Sequence, residues 1–447
     1  MDEPIKLEDL RATVDEAKSD IARTLRAVAH SKRLEILTFL ADNTKSFMDI
    51  LRATQISRTA LANHLTQLVG RGLVARKERG FYQISMDGRE LLQAIVESYV
   101  DSQIRIANGR RRIMDRYAGL RTGSRQMKRL NNLQFKPYYV SHLGCLDGCL
   151  EYLGLNVSKP WLFGATGHGF ILNIAKDLCP SGPTAWKTIM IHELASNLGA
   201  KIDGLIAWKS DPDFEEKQKQ AWKFVQKAIN AEQPCFGWQI GDIADFYIIY
   251  GYDDIGYYYK GYRVEDGGGP KPWQEVGTTD VTLLEINSVR KIKPADDVTT
   301  VKQAFQNVLK HAENPKEWIQ YPQYKSGLEG YDMWINAVES GMAIAFGLAY
   351  NAAVWAECRI MAVEFLKETQ DRLDVKLNPI LEKAIGYYDA VSRNLVKVNK
   401  LFPFSPELTM DPIKVNDQSK EAVEALQAAR EAEAKGLQVL EKIVEII

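Results

Sequence analysis

The side chains with the most legible chemistry lie in the first hundred residues. Arg58, Thr59, Asn63, His64 and Gln67 recur on one face of a stretch whose other face carries Ala60, Leu61, Leu65 and Leu68. That spacing predicts an amphipathic helix with the apolar stripe inward. The outward set holds the donors and acceptors that read base edges and phosphates of duplex DNA. Further on, Arg76, Lys77 and Arg79 cluster beside Gly80, where a basic turn would reach the phosphate backbone. Taken singly, each of these residues also reads as an ordinary solvated side chain; it is the set that points to DNA.

Those groups need elements to hold them. From Ile21 to Leu40 the residues Leu25, Val28, Leu34, Ile36, Leu37 and Leu40 repeat at helical spacing, with a break at His30-Ser31 where a second helix can be capped. Phe47–Thr54 predicts a third amphipathic helix. Ser57 then fits an N-cap for the helix carrying Arg58 to Gln67, which runs through Val69 and ends at Gly70 or Gly72. Leu73 to Ile84 predicts a hairpin turning at Gly80.

Over residues 20–95 this order resembles the winged helix-turn-helix of ArsR-like regulators, carried by AxxHxxRLxIL, SxTALANHLxQLVxxGLV and FYQISMDGREL. The resemblance implies that the helix opening at Ser57 enters the major groove and that the hairpin is a wing along the backbone. Arg58, Thr59, Asn63, His64 and Gln67 then inherit the base-side role, and Arg76, Lys77 and Arg79 the phosphate role. Some relatives of that kind sense metals through Cys/His clusters; here no cysteine precedes Cys145, so no metal site is expected in this domain.

The chain has 447 residues, more than one core usually serves, so at least two folding units are expected. Hydrophobic content of 45% and charged content of 26% exclude a disordered or coiled-coil class. Formal net charge is −1, so DNA binding has to come from a local basic patch. Met1 to Lys18 has no apolar core of a signal peptide, and no apolar run reaches the ~18 residues of a membrane span. The five cysteines, Cys145, Cys149, Cys179, Cys235 and Cys358, contain no CxxC pair. This fits reduced thiols in a cytoplasmic, nucleoid-associated protein of a prokaryote; neither a metal nor a cofactor is expected.

Residues 1–86 are read as the winged helix and 87–130 as a linker. Asp87 to Leu120 lacks proline and places Leu92, Ile95, Tyr99, Ile106 and Ile113 close to one helical face, which predicts a long helix. That helix pairs with its two-fold mate in a homodimer or packs on the chain's own second domain; both stay open. Arg105 to Arg129 holds nine basic residues against Asp115, for added phosphate contact or as a solvated linker.

Residues 131–296 mix helical patterns with β-rich runs such as 246–250, 257–259 and 282–286, and residues 297–447 are helical in pattern. The fold class is therefore multidomain α+β: winged helix, long linker helix, an α/β domain and a helical C-terminal region packed on it. Ser141-His142-Leu143-Gly144, Leu146, Leu150, Gly154, Ser158, Leu162-Phe163-Gly164 and Gly167-His168-Gly169-Phe170, with 245–254 later, resemble the N-terminal domain of butirosin biosynthesis protein H. That resemblance, over roughly 138–290, implies a papain-like cysteine acyltransferase fold. Its chemistry requires a thiolate at a helix N-terminus and an imidazole within hydrogen-bond reach.

Aligned without a gap, the nucleophile position falls on Ser141 and the base position on Asp245, so both catalytic residues are replaced. A register shift of one turn makes Cys145 the nucleophile, with His142 or His168 as base. Cys145 and Cys149 also read as small core residues on one helical face. The glycine-rich run 164–169 lacks the Gly-Lys-Ser/Thr end of a P-loop, which leaves nucleotide binding without support. The leading expectation is a one-component regulator in which Ser141, His142, Cys145, His168, Trp238 and Asp245 line a pocket for a small-molecule effector. Its rivals are a Cys145/His168 acyltransferase or amidase carrying a DNA-binding head, and a scaffold that joins DNA to a protein partner.

Overall fold

A computed structural model describes residues 7–41, 43–78, 80–100, 127–185, 187–279, 281–319 and 321–447. The chain divides into two units, Met1–Gly123 and Ser124–Ile447.

The first unit contains α1 (Leu7–Val28), α2 (Ser31–Leu40), β1 (Lys45–Ser46), α3 (Phe47–Thr54), α4 (Arg58–Gly70), β2 (Val74–Glu78), β3 (Phe81–Ile84) and α5 (Met86–Val100). The breaks come from local chemistry. His30 caps α2 by accepting the Lys32 N–H at Nδ1, 3.2 Å away. Ser46 and Asp49 form a reciprocal capping box at α3, and Gln55 takes a left-handed conformation that ends α3. Ser57 Oγ accepts from Ala60 N at 3.2 Å to open α4. Gly80 turns the hairpin with φ +90°, a value that favours glycine. The strands pair in the order β1-β3-β2. Ile36, Leu37, Leu40, Ile50, Leu61, Leu65, Leu68, Leu73, Val74 and Ile84 form one small core.

Two boundaries differ from the sequence-based expectation. The first helix reaches back to Leu7, well before Ile21; Leu7, Leu10, Val14 and Ala17 continue the helical spacing of Ile21, Leu25 and Val28 toward the N-terminus. The helix after the wing is described to Val100, with Leu91, Leu92 and Ile95 packed on the core. The remaining reach of the expected long helix, and the basic residues from Arg105 to Arg125, lie outside the described residues.

The second unit is mixed. Its principal sheet orders β10 (Gly268–Pro272), β9 (Gly256–Lys260), β8 (Phe246–Tyr252), β7 (Cys235–Trp238), β11 (Leu283–Lys291) and β6 (Ala200–Trp208). Every neighbouring pair is antiparallel, and β4 (Lys128–Arg129) pairs with Tyr252 and Gly251 of β8. Lys128 and Arg129, grouped with the linker on charge alone, are thus part of this sheet. A helix α6 (Ser141–Tyr152) packs against β8, and α7 (Lys159–Ala165), α8 (Ile189–Leu194) and α9 (Phe214–Asn230) follow it in sequence.

The helical half comprises α10 (Asp297–Glu313), α11 (Pro315–Trp318), α12 (Gly327–Glu339), α13 (Ala345–Arg372), α14 (Asn378–Leu401) and α15 (Asp417–Ile446). Helix α13 buries residues around most of its circumference, among them Trp355, Cys358, Arg359 and Phe365, as a central helix must. The division expected at 296/297 does not separate two bodies. Strand β5 (Asn173–Ala175) pairs with β12 (Tyr324–Ser326) across it, and one hydrophobic core runs from Leu130 to Ile443. Among the described residues no helix is long and apolar enough to cross a membrane.

Candidate functional site

On α4 the apolar stripe Leu61, Leu65 and Leu68 is buried, which fixes the helix's rotation. Arg58, Thr59, Asn63 and Gln67 are exposed and His64 is half-buried. Arg58 and Thr59 occupy the N-terminal turn, and Asn63 follows one turn later. Two members of the expected base-reading set also serve the scaffold. Gln67 Oε1 accepts from Arg33, whose other guanidinium nitrogen donates to the Arg26 carbonyl at 2.9 Å. The His64 ring packs 4.6 Å from that of His30, and burial, aided by His30 and Arg33, lowers its pKa. Arg76 and Lys77 are exposed on β2; Arg79 lies outside the described residues.

The second candidate site is built on the first turn of α6. Ser141 Oγ accepts the Phe246 N–H at 3.2 Å and its hydroxyl donates to the Asp245 carboxylate. Asp245 Oδ1 also accepts from Phe246 N at 3.0 Å. Burial pushes Asp245 up to about 6 against the pull of these two hydrogen bonds. The serine at the helix start and the aspartate at the head of β8 are therefore one hydrogen-bonded pair. Such a pair has a hydroxyl and a carboxylate and no imidazole between them.

The other expected pocket residues divide into two places. His142 makes T-shaped contacts with Phe246 at 4.8 Å and Phe236 at 5.1 Å, and Trp238 meets the same Phe246 at 5.1 Å. His168 is elsewhere: its Nδ1 faces Cys358 Sγ of α13 at 3.6 Å and its ring stacks on Trp355. Cys145 and Cys149 are fully buried on α6, and burial raises both thiols well above the ordinary value. Ser141, His142, Cys145, His168 and Trp238 are all buried, and only Asp245 keeps partial exposure. His168 packs in an aromatic cluster with Phe163 and Trp355.

Two residues that sequence reasoning left aside adjoin His142. His192 of α8 stacks on it with ring centroids 5.6 Å apart, and Glu285 of β11 completes a group whose donor atoms lie within 4.8 Å of one another. Both ring nitrogens of His142 and Nε2 of His192 are buried without a hydrogen-bond partner. Burial lowers His142 well below the ordinary value and His192 to about 4, and raises Glu285 to about 7. The available signal was Glu285 itself, a carboxylate amid Leu283, Leu284 and Ile286 on a strand buried on both faces.

Residues 30–76 match the family model of the bacterial regulatory protein, arsR family. No curated protein matches the chain. The matched segment runs from the cap of α2 through α3 and α4 into β2. Residues 30–76 are thus similar to the DNA-binding helix-turn-helix of that family, which supports a DNA-binding transcription regulator.

Proposed function

We propose that the chain is a homodimeric, cytoplasmic transcription regulator whose second unit is a degenerate papain-like domain that senses a small-molecule effector without catalysing a reaction. The polar outer face of α4 beside the basic strand β2 carries the DNA half of the reading. Two-fold pairing of such heads suits palindromic half-sites. Arg58 and Asn63 are the residues best placed for base contact, with Arg76 and Lys77 on phosphate.

The Ser141–Asp245 pair carries the second half. It stands where the resemblance to butirosin biosynthesis protein H puts nucleophile and base, at a helix start and a strand head. A serine needs an imidazole or an equivalent base to become a nucleophile, and a carboxylate near pKa 6 is a weak proton acceptor for an alkanol. The rival assignment of Cys145 and His168 meets two obstacles. Cys145 is held in its thiol form by burial, whereas a cysteine nucleophile needs a depressed pKa. His168, pushed down to about 3 by burial, faces Cys358.

Arg58→Ala and Asn63→Ala are each expected to weaken specific DNA binding by ~1–3 kcal/mol for every base edge the variant no longer reads. Gel shifts at fixed salt, on a site taken from genome-wide footprinting, measure this; unchanged affinity in both variants removes the recognition-helix assignment. Limited alkylation with intact-mass readout tests the non-catalytic half. Cys145 is expected to remain unlabelled in the folded chain, and rapid labelling there would restore the enzyme reading.

A further inference from the structure

We propose that His142, His192 and Glu285 form a binding site for one divalent transition-metal cation of the zinc type. The site stands independently of the regulator reading. It rests on three side chains from three elements: α6, α8 and β11.

The donor set is the first ground. Two imidazoles and one carboxylate are the ligands of many three-residue metal sites, which leave a further position for water or a ligand. Imidazole favours zinc, iron, cobalt or nickel over magnesium and calcium, which prefer all-oxygen shells. Distance is the second. Bonds of about 2.1 Å to a tetrahedral cation place ligand atoms roughly 3.4 Å apart, and the three donors already lie within 4.8 Å of one another. Small side-chain rotations close that difference.

The unmet polar groups are the third and strongest ground. His142 is 4% exposed, and neither of its ring nitrogens has a hydrogen-bond partner. His192 Nε2 is likewise buried and unpartnered. Buried polar atoms are almost always satisfied, because an orphan forfeits the hydrogen bonds it made with water. Here the orphans converge on a buried carboxylate whose charged form burial disfavours. A single cation would satisfy the imidazole lone pairs and offset the charge of Glu285.

The surroundings fit a metal as well. Asn287 Nδ2 donates to Glu285 Oε1 at 3.3 Å, a second contact of the type that orients a ligating carboxylate. Phe236 and Phe246 meet the His142 ring in T-shaped contacts, with centroids 5.1 and 4.8 Å away. His192 keeps partial exposure and gives the ion an access route. The histidine adjacent to Ser141 is thus assigned to metal binding and not to activating that serine.

The test uses the tag-free full chain, stripped with a chelator, exchanged into metal-free buffer, incubated with Zn²⁺ and desalted. Elemental analysis is expected to find one zinc per wild-type chain and to find none retained by Glu285→Gln or by His192→Gln. Circular dichroism checks that each variant is folded; His192, being half-exposed, supplies the variant least prone to misfolding. Asn287→Ala, which spares every ligand, is expected to weaken binding about 10–100-fold. Co²⁺ should give a visible d–d spectrum in the wild type that both ligand variants lack. Zinc retention equal in wild type and variants, whether full or absent, overturns the proposal, as does a cobalt spectrum that the variants preserve.

Discussion

Arg58 and Gln67 are both exposed on α4 and differ in what holds them. Arg58 extends from the N-terminal turn of α4 into solvent, free to meet a base edge, while Gln67 is engaged by Arg33 inside the unit. Gln67→Ala is therefore expected to lower the unfolding free energy of the winged helix by about 1 kcal/mol and to leave base preference unchanged. Thermal unfolding of the chain and gel shifts on substituted sites separate the two effects. Lys77 is placed for phosphate contact, so Lys77→Ala should weaken binding uniformly across sequences and flatten the salt dependence by about one unit of slope.

At the scale of the element, α6 owes its position to two small residues. A Cβ on Gly148 would fall 1.8 Å from the Gln134 carbonyl oxygen and 2.8 Å from Ile248, and one on Gly144 would fall 2.2 Å from the Lys136 carbonyl. The segment 134–136 therefore lies directly on the helix, which carries Ser141 and His142 at its start. Gly148→Ala must push backbone aside and is expected to cost at least about 1–3 kcal/mol in chemical unfolding. Gly386, inside α14, has nothing within 4 Å of the same atom. There the alanine should instead stabilise by about 0.5–1 kcal/mol, through the lower conformational entropy of the unfolded chain.

The second unit is joined as a whole around a buried charge pair. Arg359 of α13 meets both carboxylate oxygens of Glu433 of α15 at 2.8 and 3.0 Å, and donates to the carbonyls of Gly169 and Ile171. Tyr331 of α12 donates to the same carboxylate at 3.0 Å. Glu433→Ala leaves the guanidinium buried and unpaired, and a loss of about 3–5 kcal/mol is expected. The double replacement Arg359→Leu with Glu433→Leu should cost less than the sum of the two single leucine variants in a denaturation cycle.

Acid sensitivity belongs to this scale too. Burial pushes His168 down to about 3 and His311 to about 4, from an ordinary value of 6.5. Below pH 6.5 the unfolded chain takes up protons that these folded imidazoles refuse. Stability is thus lost as the pH falls from 6.5 toward 4. Melting temperatures across that window should fall less steeply for His311→Gln than for the wild type.

The winged helix was legible because its signals are local. Ser57, the stripe of Leu61, Leu65 and Leu68, and the hairpin about Gly80 act within a few residues of one another, where capping and periodicity decide the outcome. In the second unit the sequence likewise marked β8 and the long helices, and it brought Ser141 and Asp245 into consideration together. It did not reveal that His168 belongs with Cys358, or that His142 lies against His192 and Glu285. Those neighbours come from elements far apart in the chain, and no spacing rule joins them. Only the packing of α6 and α8 on the sheet, and of α13 on α7 and α14, decides which buried side chains meet. Even Gln67, on the plainest helix of all, shows the same limit: its spacing put it on the outer face, and Arg33 from another helix claimed its carbonyl.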